Sequence, residues 1–143
     1  MPDTTRPDAT RTLVVERDIA HPPQKVWRAL TQSALIADWL LKNDFVAETG
    51  RKFTFRNDPV PNWNGIIDGE VLTVEPPEKL AYSWVSMGVV TVVTWTLAPI
   101  ASGTHLRMEQ SGFRDDQGQN YAGAAHGWNR FIGRMATVLD GVD

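Results

Sequence analysis

The sequence predicts an α+β domain in which a curved antiparallel sheet wraps around one long helix. Three observations carry this. From residue 50 onward, segments of period-two alternation succeed one another with short links, and short links force neighbouring strands to pair antiparallel. Residues 121–141 repeat apolar side chains at helical spacing, and this is the only element long enough to cover one face of such a sheet. Between a first strand pattern and the rest lie two short helical patterns. At 143 residues the chain fits one domain with a core of useful size.

Residues 1–11, "MPDTTRPDATR", are polar and contain proline, and read as a loose tail before a domain of residues 12–143. "TLVVERDIA" alternates, with Leu13, Val15 and Ile19 on one face and Glu16 and Asp18 on the other. Pro22 and Pro23 then open a helix carrying Val26, Trp27 and Leu30 at helical spacing. "SALIADWL" forms a second short helix with Ser33 as its N-cap. Gly50 turns the chain into "KFTFR", where Phe53 and Phe55 share a face, and residues 57–65 make a turn-rich loop. "IIDGEVLTVE" is a strand ended by Pro76 and Pro77, which have no N–H for a ladder. "KLAYSWVS" aligns Leu80, Tyr82 and Trp84, Met87-Gly88 makes a hairpin into "VVTVVTWTLAP", and "THLRMEQSGF" aligns Leu106, Met108 and Gln110. A polar loop, "RDDQGQN", leads to the helix. The count is about six strands after the first.

That helix is uneven. Tyr121, Ala124, Ala125, Trp128, Phe131, Ile132, Met135, Val138 and Leu139 form its stripe, with Gly127 mostly outside it. Three interior glycines each cost about 1 kcal/mol relative to alanine, so packing must hold the helix. Bulky residues of the second half can fill the gap to a concave sheet; Ala124 and Ala125 leave either a close approach or a hollow. Phe53, Phe55, Trp84 and Trp95 are the inward aromatic residues that would fill or line it, and Trp63 belongs to a loop at its mouth.

The ordered segments "VWRALTQSALIADWL", "GRKFTFR", "GEVLTVEPPEKLAYSW", "HLRMEQSGF" and "HGWNRFIGRMATVLDG" resemble the single-domain bacterial relatives of the activator of heat-shock protein 90 ATPase, in the START-like (SRPBCC) superfamily. The resemblance spans about residues 12–140. It implies a helix-grip fold: a seven-stranded antiparallel sheet gripping the C-terminal helix, two short helices after strand 1, and a deep cavity between them. Many START-like relatives hold apolar molecules there. The eukaryotic co-chaperone carries a further N-terminal domain with its own chaperone contacts, which has no counterpart in this sequence. The family's "SGF" often follows His, where this chain has Gln110.

Chemistry is sparse. Net charge is −3 without a basic run, which argues against nucleic acid as a partner. Zero cysteines remove disulfides and thiolate metal sites, and His21, His105 and His126 lack ligand spacing. No apolar stretch is long enough for a membrane span, and a cytoplasmic setting is expected. No nucleophile elbow or phosphate loop occurs. Asp115 and Asp116 read as a solvated helix start. Arg17 and Glu70 interrupt apolar alternations and read as outward side chains, with an inward pair as the alternative. Gln110 shares a face with Leu106 and Met108 and would offer a ligand one oriented hydrogen bond. The expectation is therefore a non-catalytic module without cofactor or metal that binds a small apolar molecule. Its cavity candidates are Phe53, Phe55, Trp63, Trp84, Trp95, Met108, Gln110, Tyr121, Ala124, Ala125, Trp128 and Met135. The alternatives are a chaperone-interaction module and a cyclase- or hydrolase-like enzyme of the same superfamily.

Overall fold

The computed structural model describes residues 10–61 and 63–142. The expected tail therefore lies outside the described residues, except that Thr10 and Arg11 already belong to the first strand. The elements are β1 (Thr10–Ile19), α1 (Pro23–Thr31), α2 (Ser33–Trp39), β2 (Lys42–Asn43), β3 (Lys52–Arg56), β4 (Ile66–Glu75), β5 (Lys79–Ser86), β6 (Val89–Ile100), β7 (Gly103–Arg114), a 3-10 turn (Asp115–Gln117) and α3 (Gly118–Asp140). All seven strands form one antiparallel sheet in the order β1-β7-β6-β5-β4-β3-β2. The first strand thus closes against the last, and the strands between follow as successive hairpins.

Local chemistry explains most boundaries. The β5–β6 hairpin turns on Met87 and Gly88 at φ 48 and 82, the doubly positive pair that matches strand twist. Gly69 has no side chain because a Cβ there would run into the Phe53 ring and the Ser83 carbonyl. Two expectations are corrected. Ser33 is inside α2, with Gln32 at the N-cap position, and the Ser33 hydroxyl donates instead to the Asn43 carbonyl (3.1 Å), tying α2 to β2. The expected loop before α3 is a 3-10 turn, and the helix begins at Gly118. The Gln117 carboxamide accepts from the Arg114 N–H (2.9 Å), satisfying a donor otherwise left unpaired at a helix start.

Helix α3 packs on α2, α1, β1 and β7. It buries Trp128, Ile132, Met135 and Leu139, each worth about 1.5–3 kcal/mol, which outweighs about 1 kcal/mol for each interior glycine. The aromatic core continues under the sheet: Phe45, Phe53, Phe55 and Tyr82 are in mutual ring contact at 4.9–6.2 Å. Arg17, expected to point outward, lies instead on the helix side of edge strand β1, in the alternation of Leu13, Val15 and Ile19; at the sheet edge it stays exposed, its guanidinium beside Gly133. Ile67, Gly69 and Val71 alternate onto the inner face, so Glu70 points outward. Three strands separate β1 from β4, which rules out the alternative of an Arg17–Glu70 pair.

On the outer face of the β1–β7 edge, His105 bridges two carboxylates, with Nδ1 at 2.7 Å from Asp18 and Nε2 at 2.9 Å from Glu16. Hydrogen bonds to Asp18 and then Glu16 raise the His105 pKa above its ordinary 6.5, and the bond from His105 lowers that of Glu16. A raised histidine stabilises the fold most below 6.5, and that contribution is lost as pH climbs through the raised value. The lowered Glu16 contributes above its ordinary 4.5 and is lost only as pH falls through its lowered value. Stability should therefore decline modestly as pH rises above 6.5, and His105→Gln should flatten that slope. Urea midpoints measured between about pH 5.5 and 8.5 check this; a wild-type slope unchanged in the variant would contradict it.

Candidate functional site

The far end of β7 decides which way the inner wall faces. Thr104, Leu106, Met108 and Gln110 alternate onto the buried side. Strict alternation would send residue 112 inward and Phe113 out. Instead the register with β1 slips between Arg11 and Thr12, and Gly112 adopts φ 108. This one-residue bulge returns Phe113 to the inner side, 2% exposed. Beyond it, between α3 and strands β4–β7, opens a cavity of 680 Å³, within the size range of small-molecule sites.

The helix meets this cavity with a face of its own. Asn120, Ala124, Gly127 and Phe131 line it, recurring at helical spacing a quarter turn round from the core-facing Trp128, Ile132, Met135 and Leu139. Gly127 is thus part of the cavity face and not outside it as expected. A Cβ on Gly127 would meet only Phe131, at 3.8 Å, and one on Gly123 would meet nothing. Neither glycine is required by a close approach of other elements.

Trp128 holds helix and sheet apart. Its ring lies 5.0 Å from Trp84 and 5.5 Å from Trp95. Its indole N–H donates to Gln110 Oε1 (2.7 Å), Gln110 Nε2 donates to Thr91 Oγ1 (2.9 Å), and that hydroxyl donates to the Trp84 carbonyl (2.8 Å). The order is forced, because an indole can only donate and a backbone carbonyl can only accept. At the mouth, the Trp63 indole donates to Ser86 Oγ (2.8 Å), which donates to the Ile66 carbonyl (3.0 Å). Among the described residues, those lining the cavity include no Asp, Glu, Lys, Arg or His; the polar ones are Asn57, Ser86, Gln110, Gln119 and Asn120. No group of three or more His, Asp or Glu that could hold a metal occurs among the described residues.

Of the residues singled out from sequence, Trp63, Trp84, Gln110, Ala124 and Trp128 line the cavity. Phe53 and Phe55 are in the aromatic core, and Met108 of β7 and Met135 of α3 are buried between sheet and helix. Trp95 is enclosed between Trp39 and Trp128 and donates to the Tyr82 hydroxyl (2.9 Å); burial pushes the Tyr82 phenol up, so it stays neutral. Tyr121 packs outside Phe113, under the Arg11 guanidinium, and Ala125 does not reach the cavity. Gln110 is at the cavity, but its carbonyl and one amide hydrogen are already engaged within the protein. The sequence reading missed Phe113, Phe131, Gly123 and Gly127. A glycine inside a strand pattern marks a bulge, so "SGF" held a signal for Phe113.

The family described as Activator of Hsp90 ATPase homolog 1-like protein matches residues 20–140. Among solved structures, protein MLL2253 from Mesorhizobium loti is 50% identical, with 93% of this chain and 99% of that one covered and a TM-score of 0.87. CalU16 from Micromonospora echinospora is 22% identical over 91% of this chain and 76% of its own, TM-score 0.77, and shares the fold. DynU16, a protein of the dynemicin biosynthetic locus, is 28% identical over 94% of this chain, TM-score 0.76; this chain spans 48% of it. No curated protein matches. The helix-grip fold expected from the sequence is the one these structures share.

Two substitutions probe the site's construction. Gly127→Ala should raise stability by about 0.5–1 kcal/mol, since its methyl meets nothing closer than 3.8 Å; destabilisation in urea melts would show a packed helix face. Gln110→Leu strands the Trp128 N–H and should cost about 1–3 kcal/mol; a neutral outcome would show that the polar chain carries no load.

Proposed function

The chain belongs to the Activator of Hsp90 ATPase homolog 1-like family of START-like proteins, and from that premise we propose that it binds a small uncharged apolar molecule between sheet and helix without transforming it. The observation that carries this reading is the 680 Å³ cavity, walled by Trp63, Trp84, Phe113, Trp128 and Phe131, with no ionisable side chain among the described residues that line it. Aromatic walls favour an apolar guest through buried area. An ionic guest would lose its hydration without a countercharge in return. The same lining supports a binding role over catalysis, because acid–base chemistry needs a proton donor or acceptor within reach of the guest.

A chaperone partner draws less support. Among the described residues the exposed large apolar side chains are Val14, Val46, Val60, Leu72, Met87 and Val90; Val14 on β1 and Leu72 on β4 have three strands between them in the sheet, so no single contiguous patch gathers all six. Membrane insertion through a helix has no element to use: among the described residues no helix is long and apolar enough to cross a bilayer.

The test uses N-phenyl-1-naphthylamine, an uncharged fluorescent probe. Saturable energy transfer from tryptophan to the probe is expected in the wild type. Ala124→Leu should abolish it while changing stability by less than about 1 kcal/mol, because the larger side chain enters open space. A loss of about 1–3 kcal/mol, the signature of overpacking, or transfer that never saturates, would refute the reading.

A further inference from the structure

Of the three indoles that line the cavity, two are already engaged within the protein. The Trp63 indole is engaged by Ser86, the Ser86 hydroxyl by Ile66, and the Trp128 indole by Gln110. The Trp84 indole is different: its N–H has no partner within the protein among the described residues. No buried side-chain nitrogen or oxygen among the described residues lacks a hydrogen bond, so this nitrogen is not sealed off. Trp84 is half-buried, on the inner side of β5, and lines the cavity. Its ring is fixed by stacking near Tyr82 (6.5 Å, 22°), by the edge contact with Phe55 (5.5 Å) and by Trp128 (5.0 Å). Its own carbonyl is held by Thr91. The donor is thus unpaired and accessible, on a ring held in place where it lines the cavity.

We infer that Trp84 is a specificity-determining residue of the cavity, and that its indole N–H addresses a carbonyl oxygen on an otherwise apolar, uncharged guest. This rests on the binding role proposed above and names its ligand class. A donor-only group selects an acceptor. The absence of lysine, arginine and histidine from the described lining favours a neutral acceptor, a ketone or ester oxygen, over a carboxylate. In a site of low polarity an indole N–H left without an acceptor is disfavoured, so guests that supply one gain over isosteres that do not.

The experiment compares two probes of nearly equal shape, 2-acetylnaphthalene and 2-ethylnaphthalene, in wild type and in Trp84→Phe, by displacement of N-phenyl-1-naphthylamine. The hydrocarbon sheds water more easily, so the readout is the change in relative affinity between the two proteins. Trp84→Phe should lower the ketone-to-hydrocarbon affinity ratio about tenfold. In ¹⁵N-labelled wild type, the Trp84 indole proton should shift downfield with the ketone and not with the hydrocarbon, a readout that needs no variant. A ratio unchanged by the substitution, or equal indole shifts with both probes, overturns the inference and leaves the cavity's binding role standing. If neither probe binds, both fall.

Discussion

A buried chain of hydrogen bonds runs from the Trp128 indole through Gln110 and Thr91 to the Trp84 backbone, and the shape of the molecule depends on it. It links α3 to β7, β6 and β5 in one direction of donation. Each group is deeply buried: Trp128 is 3% exposed, Gln110 2% and Thr91 1%. In a medium of low polarity such bonds strengthen, and breaking one leaves a costly orphan. The chain fixes the indole of Trp128 upright between helix and sheet. With that pillar in place, α3 cannot settle onto β4 and β5, and its Ala124 and Gly127 face is held over open space.

Helix α3 therefore does two jobs on adjacent faces. The stripe of Trp128, Ile132, Met135 and Leu139 closes the core. The neighbouring face, with Asn120, Gly123, Ala124 and Gly127, roofs the cavity. Its glycines cost helix stability without any steric necessity from other elements. That expense has a physical counterpart only in the volume it leaves. The aromatic lining, without ionisable groups among the described residues, then restricts what could occupy that volume, and the Trp84 indole proposed to address the guest restricts it further. The family places these features in a helix-grip setting; the ligand chemistry follows from the residues that this chain puts there.

The fold was largely legible because period-two and helical spacings are local. The alternation of Leu106, Met108 and Gln110, the Met87-Gly88 turn and the long closing helix all declared themselves within short windows. The two-residue strand β2 is too short to carry a period, and the 3-10 turn before α3 is capped by a side chain, Gln117 on Arg114, that no periodicity announces. The cavity was half legible. Thin side chains on the helix pointed to a hollow, but one stripe could not reveal that core and cavity use two faces a quarter turn apart, so Gly127 was assigned to the wrong side and Ala125 to the cavity. Phe53, Phe55 and Trp95 share the inner side of the sheet with Trp84; whether an inward residue meets the core or the hollow depends on sheet curvature, which no local pattern encodes. Gln110 shared a face with Leu106 and Met108 in the sequence, and it is buried with them. Its partners, Thr91 and Trp128, come from elements 19 and 18 residues away, and only the assembled fold brings them together.

Intermolecular nuclear Overhauser effects in the N-phenyl-1-naphthylamine complex test the central claim most directly. The account predicts cross-peaks from the probe to the Ala124 methyl, the Gly127 α-protons and the Trp84 ring, placing the guest beneath the thin face of α3. Cross-peaks confined to exposed positions such as Val14 or Leu72, with none to Ala124 or Gly127, would contradict it.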